Sequence, residues 1–153
     1  MQTTTFFRDS LFASLDGLSK EISAFSAEED LWTTQGQVSN SAGTLALHLI
    51  GNMNHFIGSV LGDTGFVRDR AAEFSQRDIP RDVLLFDISE TREQVRNTFE
   101  QLTNELLDDR YPLSTFGEER TVMNVLLILC THAAYHLGQV NYLRRTLDRV
   151  NNG

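Results

Sequence analysis

The chain has 153 residues, 41% of them apolar and 22% charged, and a formal net charge of −8; that size and balance suit one soluble domain with one core. One lysine, Lys20, and twelve scattered arginines argue against a nucleic-acid partner, which needs clustered cations, and against an anionic membrane surface. Cys130 is the only cysteine, so no intramolecular disulfide can form; the start lacks a signal-like apolar run, and no stretch nears the roughly 20 apolar residues of a membrane span. A cytoplasmic protein is expected.

Apolar residues recur at spacings of three and four, the period of helices rather than strands. Phe7, Leu11, Leu15, Leu18, Ile22 and Phe25 form one stripe and predict a first helix from Thr5 to Phe25. Trp32 lies in the polar stretch that follows and is expected to pack that loop on the helices, forming one wall of a pocket. Ser41 is placed to cap a second helix reaching Leu61, because its hydroxyl can accept a free first-turn N–H. From Gly62 to Ile79 a long glycine-bearing, charged loop is expected. Pro80 suits the first turn of a third helix, whose stripe reads Leu84, Ile88, Thr91, Val95, Phe99, Leu102 and Leu106. Pro112 and Gly117 mark another loop, and a fourth helix is expected from Thr121 to Val150. Four long helices with three loops predict an all-α four-helix bundle, with a long second connection that permits a crossover.

Two of the four histidines fall in "CTHAAYHLGQV", Cys130 to Val140. His132 and His136 are one turn apart and interrupt the seam Val125, Leu129, Gln139, Leu143, Val150, so both rings can reach a common point. On the second helix His48 lies on the stripe Leu45, His48, Asn52, His55, Ser59. Buried imidazoles need partners or a metal, and three of them would suit a divalent ion such as zinc or nickel, leaving a position for water or substrate. His55 shares the face of His48 about 10.5 Å further along the axis, and helix geometry alone does not choose between them.

"NSAGTLALHLIGN" (Asn40 to Asn52), "VRDRAAEF" (Val67 to Phe74) and "THAAYHLGQVNYLRR" (Thr131 to Arg145) together resemble the DinB/YfiT-like superfamily, in a less characterised branch. The resemblance implies a four-helix bundle, often a homodimer, with a divalent metal held by His48, His132 and His136. Characterised relatives include S-transferases that use bacillithiol, mycothiol or glutathione, and a thiol-dependent maleylpyruvate isomerase. The expected activity is therefore metal-dependent transfer of a low-molecular-weight thiol to a small-molecule substrate. A non-catalytic metal-binding or stress-response module and a metal-dependent hydrolase are the alternatives. Ala133, Ala134 and Tyr135 stand between the paired histidines, so the zincin glutamate is missing and peptidase activity is not expected.

Asn52 is a candidate for bonding a ligand water or substrate, and Gln139 for orienting the His136 ring. Tyr135 and Tyr142 are candidate pocket walls, although aromatics at this spacing more often pack a core. Arg68 or Arg70 could bind a substrate carboxylate; the plainer expectation for Arg68, Asp69, Arg70 and Glu73 is a salt-bridged loop anchor or dimer contact. Cys130 lies about 200° around the helix from His132 and is expected to be a packing residue.

Overall fold

Helix α1, Thr3–Ala24, buries the whole predicted stripe, Phe7, Leu11, Leu15, Leu18 and Ile22, and Phe25 closes it where the backbone turns extended. These positions belong to a computed structural model that describes residues 2–114 and 119–151, except the side chains of 149–151. A 3₁₀ turn, Glu28–Trp32, follows. Helix α2, Ala42–Met53, starts where expected: the Ser41 hydroxyl accepts the Thr44 N–H at 3.2 Å. It runs on through a π-helical turn, Asn54–Ser59, and a last turn, Val60–Gly62, and ends at Asp63 in the left-handed region. A π turn loosens the regular ladder of backbone bonds. Here the Tyr111 hydroxyl donates to the Phe56 carbonyl at 2.7 Å, and Asn54 Nδ2 donates to Thr91 Oγ1 at 2.9 Å.

The expected long loop contains a short helix, α3, Arg70–Ser75, capped by Asp69 accepting the Ala72 N–H at 2.9 Å. Helix α4, Arg81–Gln101, begins one residue after Pro80, which sits just outside the first turn; Glu28 accepts the Arg81 N–H at 2.8 Å. Leu84, Ile88, Thr91, Val95 and Phe99 are buried as expected, but the stripe does not continue to Leu106. The backbone becomes extended at Leu102, and a 3₁₀ turn, Glu105–Asp108, resets the phase. Leu107 is buried in its place, and Leu106 is exposed. Helix α5, Val122–Asn151, is capped by Thr121, which accepts the Asn124 N–H. Gly117 and the Val150 side chain lie outside the described residues. Among those residues the only strand-like pairing is one antiparallel bridge, Arg110 to Thr121.

The four long helices form a bundle in which α1 packs on α4 and α5, and α2 packs on α4 and α5. Side-chain contacts give the directions. Cys130 reaches Phe7 and Arg144 reaches Glu21, so α1 and α5 are parallel. Arg92 meets Asp16 and Arg81 reaches Ser23, so α4 runs antiparallel to α1. Asn54 meets Thr91, and Gly62 abuts Thr98, so α2 and α4 are parallel. The order is up, down, down, up, and the connection carrying α3 is the crossover that two adjacent parallel helices require. It packs α3 on α2.

Candidate metal centre

His48 on α2 is buried, and His132 and His136 on α5 are half-buried. The bundle seam turns all three rings to one point. His48 Nε2 lies 3.1 Å from His132 Nε2, and His136 Nε2 lies 3.0 Å from the same atom. One ligand atom from each ring lies within 4.8 Å of the others.

Two rings have their tautomer set from outside the cluster. The Glu73 carboxylate only accepts, so His48 carries its proton on Nδ1 and donates to Oε2 at 2.9 Å. Gln139 Oε1 stands 2.6 Å from His136 Nδ1 and accepts its proton. Both Nε2 atoms therefore turn bare lone pairs toward His132, whose single Nε2 proton could satisfy one of them at a time. A cation satisfies all three together, and its metal–nitrogen bonds of about 2.0–2.1 Å would hold tetrahedral nitrogens about 3.3–3.4 Å apart. The two separations from His132 need only a slight opening, and the third lies within 4.8 Å, so the donor set fits a divalent ion. The remaining His132 nitrogen, Nδ1, is buried without a hydrogen-bond partner, as is Asn52 Oδ1.

The electrostatics disfavour protonation of His132 and His48. Burial pushes His132 down to about 4, aided by repulsion from His136, His48 and Arg68. Burial also lowers His48, although Glu73 pulls the other way. Neutral imidazole is the form that binds a metal.

Glu73 was visible in sequence only as part of a mixed-charge run, and its placement is the main feature that reading missed. Its carboxylate is 6% exposed and is held by Arg68 through Nε at 2.6 Å and Nη2 at 2.9 Å. Arg68 is thus engaged with Glu73 as an anchor, and its Cζ lies 5.6 Å from the Phe56 ring centre. Arg70 is exposed and stacks on Phe74, whose ring lies 5.0 Å from the His48 ring. Gly51 gives the carboxylate room, since a Cβ there would meet Glu73 Cδ at 2.7 Å.

The other sequence candidates divide. Gln139 bonds the His136 ring, and Asn52 is buried one turn beyond His48. His55 lies in the π turn against Phe56, outside the cluster. Tyr135 and Tyr142 are not core residues: they are 65% and 72% exposed. The Tyr135 ring is 5.4 Å from that of His136, and Tyr142 lines a neighbouring groove. Cys130 is buried and its Sγ–H points to the Phe7 carbonyl, away from the cluster. Trp32 packs its ring on Gly43 and so fixes the first loop to α2.

An all-α bundle with three imidazoles converging from two adjacent helices defines the class, a helical protein with a candidate metal centre. Residues 8–152 match the family described as "Protein of unknown function (DUF1572)", and the chain belongs to that family. Among solved structures it is similar to the "conserved protein of locus from Enterococcus faecalis", at 16% identity and a TM-score of 0.76, over 95% of this chain and 96% of that one. At that identity the likeness shows the fold alone. No curated protein matches the chain.

Proposed function

We propose that this protein is a DinB-like, divalent-metal-dependent S-transferase that joins a low-molecular-weight thiol to an electrophilic small molecule. The observation that carries the reading is the convergence of three imidazole Nε2 atoms, two of them held as lone-pair donors by Glu73 and Gln139. A zinc or nickel ion held by His48, His132 and His136 would supply a Lewis-acid position that lowers the pKa of a thiol or water. Glu73 fixes the His48 ring, Gln139 fixes the His136 ring, and the partial exposure of His132 and His136 leaves an approach from solvent. Cys130 does not compete as nucleophile, because burial pushes its thiol pKa up, against a smaller opposing bond from Ser10. The whole chain acts as one domain, in the cytoplasm, as a homodimer.

Elemental analysis of purified protein beside His132→Ala is the first test, with stoichiometric metal expected in wild type and lost in the variant. Turnover of a chlorodinitroarene with a panel of small thiols is then expected to need both metal and thiol. Metal without any turnover would instead favour a non-catalytic binding module, and thiol-independent hydrolysis a hydrolase. No metal in wild type would remove the reading altogether.

A further inference from the structure

A groove of about 700 Å³ lies next to the imidazole cluster, between α2, α5 and the loop before α2. Its volume is that of a small-molecule site, for which about 300–1,000 Å³ is usual. Two of its residues tie it to the cluster. Leu45 precedes His48 by three positions and Gln139 follows His136 by three. Contacts of His48 with His132 and His136, and the shared groove of Leu45 with Gln139 and Leu143, show that α2 and α5 are antiparallel. Both steps therefore lead the same way, each a rise of about 4.5 Å. The groove begins one helical turn from the point where the imidazoles meet.

Among the described residues no charged side chain lines it. Its polar groups are the carboxamides of Gln35, Gln37, Asn40 and Gln139 and the hydroxyls of Ser39 and Thr146, set among apolar side chains with the Tyr142 ring on one side. The loop is a built turn: Val38 N–H donates to the Gln35 carbonyl at 3.0 Å, and Gly36 takes φ +57°, a value that favours glycine at the turn's second position. That turn presents Gln35 and Gln37 on either side of the glycine.

We infer that this groove seats the substrate of the neighbouring centre, and that the seated part is an uncharged group rich in hydroxyls or amides. Carboxamides both donate and accept, as alcohols and amides do, so each ligand group finds a match. A carboxylate, phosphate or ammonium would lose water here without gaining a counter-charge from the described lining. Tyr142 offers a flat apolar face for a ring or acyl group. Gln139 joins the two regions, since its oxygen accepts from His136 and its amide nitrogen remains as a donor. The role as substrate seat rests on the metal reading above; the binding chemistry of the groove does not.

The test is a titration of the full-length protein, followed by two-dimensional amide NMR, with N-acetylglucosamine, methyl glucoside and N-acetylalaninamide. Glucosamine and glucuronate serve as charged counterparts. At least one neutral probe should bind and shift Gly36, Gln37, Gln139 and Tyr142, with the charged sugars at least tenfold weaker. Tyr142→Ala and Gln37→Ala, both at exposed positions, should weaken that probe at least fivefold with unchanged unfolding midpoint and metal content. Metal-loaded protein indifferent to all three neutral probes, or binding the charged sugars equally well, would overturn the inference. Elemental analysis of the same sample reads the metal separately, so a protein that binds the probe but no metal loses only the metal reading and with it the substrate role.

Discussion

Glu73→Gln separates the carboxylate's work for the centre from its work for the fold. The wild-type carboxylate, 6% exposed, accepts from Arg68 Nε and Nη2 and from His48 Nδ1 at 2.6, 2.9 and 2.9 Å. Glutamine keeps the shape and one acceptor oxygen, but its NH₂ must face either an Arg68 N–H or the His48 Nδ1–H, donor against donor. Breaking a buried ion pair costs about 3–5 kcal/mol when nothing replaces the lost partner. The retained oxygen recovers part, so a loss of about 2–3 kcal/mol is expected, or about 5–10 °C in melting temperature for a chain of this size. With His48 no longer fixed, zinc affinity should fall about 10- to 100-fold. Urea unfolding of chelator-treated protein measures the first effect, and competition with a chromophoric chelator the second. If stability falls while zinc affinity stays at the wild-type value, Glu73 only anchors α3 and the argument for its role at the centre is wrong. Gly51→Ala approaches the same bond from the other side. It adds up to about 1 kcal/mol of helix propensity, yet its Cβ would displace the carboxylate, so zinc affinity should drop in the same direction.

The pH dependence has a definite sign. An unfolded imidazole titrates near 6.5, whereas the folded His132 is depressed to about 4. Between those values the unfolded chain binds the extra proton, so metal-free stability should be level above about pH 6.5 and fall as the pH drops toward 4; a wild-type curve that matches His132→Asn throughout this window would refute it. Native Cys130 should resist an aromatic disulfide reagent until the protein is unfolded in urea, and fast labelling of the folded protein would contradict its burial. Tyr111→Phe removes the donor to the Phe56 carbonyl in the π turn and should cost about 1–3 kcal/mol by urea unfolding; an unchanged midpoint would show that the turn does not need it.

Local signals carried far in this sequence because helices repeat locally. The α1 stripe from Phe7 to Ile22, the Ser41 cap and the turn of Cys130 away from His132 all follow from spacing within one segment. So does the shared face of His132 and His136. The failures share a different cause. Leu106 lost its place to Leu107 because one extended residue and a 3₁₀ turn change the phase, and periodicity assumes that the phase persists. His48 and His55 are equivalent on a helical wheel; only the level at which α5 crosses α2 separates them. Glu73 and its partner His48 are 25 residues apart with a loop between them. An Arg–Glu pair in such a run gives no spacing rule that would reveal the contact, although Asp69 and Ala72 do carry the capping signal for α3.

The crossover explains why this centre has two unlike sides. Adjacent parallel helices α2 and α4 oblige the chain to return along the bundle, and that return lays α3 across His48. There the imidazole meets a buried ion pair and the Phe74 ring, an arrangement suited to holding one nitrogen still. The connection from α1 to α2 has no such duty. It crosses the other end of the seam, pinned by Trp32 on Gly43, and leaves beside Gln139 the groove with its glycine turn. Rigidity falls on the side that would hold an ion, and space falls on the side that would admit a reactant. Exchanging those properties would need a different order of helices, because each connector covers the seam at the end where the up-down-down-up path puts it.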